Sequence, residues 1–154
     1  MIKKLDLKEI NQLKNIIMST TAMKKTEAKG ITVTQKEVGS FLGKLYSFNN
    51  SLKLYHWHVT GKGSYAQHIA LDQAIESLLD VTDRLVETTY AMAGDIDIVI
   101  PETKVPSDIV KHASDFYDVV EKGRKLFTED FALSIIDDYH EAIQQLLYRL
   151  KRLQ

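Results

Sequence analysis

Apolar residues recur along this chain at the three- and four-residue steps of a helix, in stretches separated by glycine, proline and polar clusters. Leu5, Ile10, Leu13, Ile16 and Ile17 mark a short amphipathic leading helix over residues 5–23, followed by a polar loop containing Gly30. Thr34-Gln35-Lys36-Glu37 has the form of a capping box, in which the Thr and Glu side chains satisfy free amides at a helix start. Val38, Leu42, Leu45, Asn49, Leu52 and His56 then share one face, until Gly61-Lys62-Gly63 ends the helix. A second long helix is predicted from 65 to 92, closed by Gly94. Residues 95–106 hold both prolines, Pro101 and Pro106, and an apolar run of Ile96, Ile98, Val99 and Ile100. They read as a packed connector rather than a strand. Ser107 is the expected N-cap of a third helix ending near 127, and Thr128 that of a fourth. The pattern predicts an all-α chain: a helical extension and loop at 1–33, then four antiparallel helices with mostly short links at 34–154.

Bulk properties narrow the chemistry. The 154 residues suit one domain, and 44% hydrophobic with 27% charged residues is ordinary for a soluble globular protein. A net charge of −1 gives no bulk attraction to nucleic acid. Residues 1–34 carry seven lysines against three acids, but a lysine-coated polar helix face accounts for them, and no motif has base-reading geometry. The chain has no cysteine, which excludes disulfides, zinc ribbons, iron–sulfur clusters and thiol catalysis. No signal peptide is evident and no apolar run approaches the roughly 18 residues of a membrane span, so a cytoplasmic protein is expected.

Candidate chemistry lies on the second helix. With about 100° per residue, His68, Asp72, Glu76, Asp83 and Glu87 fall on one stripe about 100° wide. Ile75, Leu78, Leu79, Leu85 and Val86 fill the adjoining sector, so the acids border the apolar face and are expected to be partly buried. By itself such a stripe describes a solvated face, and His56 a hydrogen-bonded core histidine. Trp57 alone is a packing residue.

Taken together, these residues resemble a family. Tyr55-His56-Trp57-His58-Val59-Thr60-Gly61 is similar to the His-Trp segment that ends the first helix of Dps proteins, a branch of the ferritin-like superfamily. His68 follows His56 by twelve residues, Asp72 by four more, Asp83 by eleven and Glu87 by four. This order and spacing match the Dps ferroxidase pattern, and Gly94 matches its helix-ending glycine. The likeness extends over 38–94 and 128–150. It implies a ferritin-like four-helix bundle, to which the leading N-terminal helix is an addition. It also implies a ferroxidase, with His56, His68, Asp72, Asp83 and Glu87 as metal ligands and Trp57 beside the iron as an aromatic able to intercept oxidising equivalents. The implied oxidant is hydrogen peroxide, or oxygen, and the implied role is iron storage and protection from oxidative stress. Zinc or manganese also suits such imidazole and carboxylate donors.

The spacing has a consequence of its own. Asp72 and Asp83 stand about 16 Å apart along a straight helix, too far to bind one metal. A two-fold axis between them would set His68 and Asp72 of one copy against Asp83 and Glu87 of another, so a homo-oligomer, at least a dimer, is expected. The resemblance implies the same shared site, and a twelve-subunit cage. The third helix, however, is about three turns shorter than in Dps proteins, and Gln144 replaces a tryptophan of the last helix. Glu129 and Asp130 match acids that line a three-fold cation pore, or else complement a helix terminus. His58 and His112 are expected on exposed faces. Asp137 and His140 form half of an ordinary di-iron motif, but no Glu-x-x-His occurs to complete it. A different reading of the same residues is a non-catalytic helical oligomer that binds divalent metal or DNA.

Overall fold

The computed structural model describes residues 34–152, which form α1 (Gln35–His58), α2 (Ser64–Ala93), α3 (Ile109–Arg124) and α4 (Asp130–Arg152). Among the described residues there is no strand. Among the same residues no helix is long and apolar enough to cross a membrane. The expected extension at 1–33 lies outside the described residues.

The Thr34 capping box forms in full: the Thr34 side chain accepts from the Glu37 amide, and the Glu37 carboxylate accepts from the Thr34 amide. Gly61 and Gly63 adopt φ of 88° and 80°, left-handed values that glycine takes without strain, and so turn the chain from α1 into α2. Two expected caps are displaced. Asp108, not Ser107, caps α3, because its carboxylate accepts the Lys111 amide at 2.9 Å. Helix α4 starts at Asp130 rather than beside Thr128, with the Glu129 carbonyl accepting the Leu133 amide.

Direction follows from pairs of contacts. Gln35 donates to the Ala93 carbonyl and His56 meets Asp72, so α1 and α2 are antiparallel. The 95–106 connector then runs back along α1. A methyl on Gly39 or Gly43 would lie 2.1 or 2.0 Å from the carbonyl oxygens of Asp97 and Val99, and Ser47 is hydrogen-bonded to Thr103 at 2.9 Å. Two extended residues rise about as far as one helical turn, which keeps the connector in step with the two glycines. Helix α3 begins opposite Ser51 and descends: Phe116 stacks on Phe48 at 4.0 Å, and Gly123 faces the Phe41 ring. Helix α4 ascends beside it through Arg124–Asp137 and Glu121–His140 pairs, and meets α2 through Arg84–Asp138.

Neighbouring helices are therefore antiparallel, as expected, and the 95–106 connector is the one long link. Helices α2 and α3 run in one direction on one diagonal, α1 and α4 in the other, and one long crossover joins the halves. The reason is that α3 must be entered from the far end of α1, and the glycine pair provides the track. Leu42, Leu45 and Leu52, Leu71, Leu78 and Leu85, Val120, and Ile136, Ile143 and Leu146 fill the centre. Fully burying each such side chain contributes roughly 1.5–3 kcal/mol.

The buried face of α2 is rotated from the expected one. Ala70, Leu71, Ala74, Leu78, Val81, Thr82, Leu85 and Thr89 point inward, small residues alternating with leucine and valine. Ile75 and Val86 are only half-buried and Leu79 is 46% exposed. The acids consequently stand further from the core than expected: Asp72 is half-buried, whereas Glu76, Asp83 and Glu87 are exposed.

Candidate metal centre

The last turn of α1 and the first turns of α2 meet where the antiparallel pair begins. His56 points inward, with 5% of its surface exposed. One turn apart on α2, His68 and Asp72 face it from a common side. His56 Nε2 lies 2.9 Å from Asp72 Oδ1, and His68 Nε2 lies 3.8 Å from Asp72 Oδ2. The two imidazole rings are 3.6 Å apart between centroids. One donor atom from each residue falls within 4.8 Å of the others, so a modest closure reaches the roughly 3.4 Å donor spacing of a tetrahedral ion with 2.1 Å bonds.

The donors also fit a metal chemically. His56 is buried, yet neither ring nitrogen has an aligned hydrogen-bond partner, although Nε2 is within ion-pair distance of Asp72. A buried imidazole without aligned partners is costly in an apo protein and is relieved when a nitrogen lone pair binds an ion. Asp72 is already anionic. The Lys53 ammonium, 3.1 Å from Oδ1, and to a smaller degree His56 hold its carboxyl below the usual range, against a partial burial that pushes it up. As pH falls through that lowered range the carboxyl takes a proton, and both its ion pair and its capacity to bind metal weaken.

Of the five expected ligands, the single chain brings together His56, His68 and Asp72. Asp83 and Glu87 lie about three and four turns beyond Asp72 along α2 and do not join them. Trp57 is 66% exposed and directed away from the core, with its ring centroid 6.0 Å from Lys53 Nζ. His58 is exposed as expected, turned back on the Leu54 carbonyl. His112 is not: it is half-buried, joined to Ser51 Oγ at 2.7 Å and packed on Phe48. Asp137 and His140 turn to different partners, Arg124 and Glu121, and form no common site.

Two residues of the site's surroundings escaped the sequence reading. Lys53 stands one turn before His56, a spacing that could have flagged it. Tyr46 lies across from Asp83, near enough that the carboxylate adds to burial in pushing its phenol pKa up. Nothing in the sequence signals that pairing, which depends on the register of α1 against α2.

A family model described as a family of unknown function, DUF5856, matches residues 56–150, from the buried histidine through most of α4. No curated protein and no solved structure matches the chain.

Proposed function

The chain belongs to the DUF5856 family of unknown function, which brings no activity with it, and from the site itself we propose a Dps-like ferroxidase that takes Fe(II) as substrate. In this reading two copies of the chain complete each site: His56, His68 and Asp72 from one copy, Asp83 and Glu87 from the other. The observation that carries it is the convergence of His56, His68 and Asp72 while two more acids of the same helix remain exposed and too distant to join them. Ile75, Leu79 and Val86, beside those acids and outside the core, offer an apolar strip for the second copy. A bundle with two parallel diagonals and one long crossover also suits the ferritin-like reading.

The chemistry follows from the donors. Two neutral imidazoles select a first-row divalent ion over magnesium or calcium. Three carboxylates, hard and anionic, stabilise Fe(III) over Fe(II) and so make the ion easier to oxidise. Reduction of one hydrogen peroxide to two waters takes two protons and two electrons, one electron from each of two Fe(II). The exposed Trp57 in α1's last turn is placed to give up an electron to peroxide when too little Fe(II) is bound to supply both.

Anaerobic titration with Fe(II), followed by peroxide and monitored by Fe(III) absorbance, tests the proposal. Saturable binding and oxidation faster than in buffer are expected. Absence of binding overturns it, and binding without accelerated oxidation leaves a divalent-metal binder instead.

A further inference from the structure

The metal centre already holds a cation of its own. Lys53 reaches from α1 to α2 and places its ammonium 3.1 Å from Asp72 Oδ1, the same oxygen that His56 Nε2 approaches to 2.9 Å. An incoming ion held by His56 and Asp72 Oδ1 would share that oxygen with the ammonium. Two positive charges cannot share the oxygen at such distances without strong repulsion. The ammonium nevertheless has somewhere to go. It is 6.0 Å from the centroid of the Trp57 ring, at the outer edge of cation–π range, and the Lys53 side chain is 39% exposed. A rotation of a flexible four-carbon stem moves it from carboxylate to indole.

We propose that Lys53 is a displaceable counter-ion, which neutralises Asp72 in the metal-free protein and yields it to an arriving divalent metal by swinging over Trp57. The inference rests on His56, His68 and Asp72 being metal ligands, but not on iron oxidation. Metal binding here is an exchange of cations. The resident ammonium lowers affinity, lets the metal-free site persist without an unpaired carboxylate, and couples occupancy to the electrostatic surroundings of the chain's one tryptophan. An ammonium over the ring opposes removal of an electron from it, so a loaded site leaves Trp57 harder to oxidise.

Zn(II), which is redox-inert, separates this inference from the ferroxidase reading. Zn(II) is titrated into wild-type protein, Lys53→Met and Lys53→Arg by calorimetry, at low and high salt, while Trp57 emission is recorded. Far-ultraviolet circular dichroism establishes that each variant is folded. Because Lys53 and Asp72 are both partly exposed, Lys53→Met is expected to tighten Zn(II) binding about three- to tenfold, less so at high salt. Lys53→Arg, which keeps the charge, is expected to bind no tighter than wild type. Zinc should shift Trp57 emission in the wild type and much less in Lys53→Met. Equal affinities in wild type and Lys53→Met, or equal emission responses, overturn the inference while leaving the metal site intact. Failure of all three proteins to bind zinc overturns the metal site and the inference together.

Discussion

Asp83 and Glu87 are the residues on which the proposed shared site turns. Each is exposed in the single chain and neither forms an ion pair with another of the described residues, so truncation removes little that holds the fold. Asp83→Ala or Glu87→Ala is expected to slow iron oxidation about tenfold or more, since loss of a ligand costs no less than loss of a group that orients one. The unfolding midpoint should stay near that of the wild type. Stopped-flow absorbance together with urea denaturation checks both halves of this expectation. Wild-type oxidation rates in both variants would place the iron elsewhere. Gly43 is the opposite kind of residue, invisible to chemistry but decisive for packing. In an open helix, Gly→Ala stabilises by about 1 kcal/mol. At Gly43 the added methyl would stand 2.0 Å from the Val99 carbonyl oxygen, a contact that only a backbone shift can relieve. Gly43→Ala is therefore expected to destabilise by about 1–3 kcal/mol, measured as a lowered urea midpoint.

Among the elements, the crossover connector and the start of α3 depend on His112. Ser51 Oγ donates to the Phe48 carbonyl at 2.6 Å, which leaves His112 Nε2–H as the donor to Ser51. Burial pushes the His112 pKa below its ordinary value, and Asp115 offsets this only in part. The unfolded imidazole takes up a proton near pH 6.5, whereas the folded one resists it until lower pH. Its contribution to stability is thus present above about pH 6.5 and lost as the pH falls toward the folded pKa. Urea unfolding at about pH 7.5 and about pH 5.5 should show a larger loss in the wild type than in His112→Gln. Equal losses would mean that His112 protonates as readily folded as unfolded.

At the scale of the molecule, the proposed site needs a second chain. His56→Ala and Asp83→Ala proteins, each strongly impaired alone, are expected to regain activity when co-assembled. A mixed dimer then contains one intact site and one lacking both residues. Verified heterodimers without recovery would argue for a site within one chain. Light scattering should give a mass near 35 kDa for a dimer of 17.6 kDa chains, or near 210 kDa if twelve close into a cage. A persistent monomer would contradict the shared site itself. The short α3, which starts only at the level of Ser51, reduces the outer surface on which a cage could be built.

The helices were legible in the sequence because their causes are local. Apolar steps of three and four, the Thr34–Glu37 box and the glycines at 61, 63 and 94 act within a turn or two of chain. The same locality makes His68 and Asp72 neighbours, one turn apart on a helix that is long in any fold. The meeting of His56 with them was anticipated only through resemblance. What tertiary structure alone decided are contacts between residues distant in sequence. Lys53 reaches Asp72 across 19 residues, Ser47 reaches Thr103 across 56, and Ser51 reaches His112 across 61. Periodicity specifies which face a helix buries only to within tens of degrees, and Leu79 shows the consequence: an apolar residue assigned to the core stands 46% exposed. The face that is buried instead carries small residues, Ala70, Ala74, Thr82 and Thr89, among its leucines, where α2 packs between α1 and α4. Size complementarity between helices is a property of pairs, and no single helix pattern contains it.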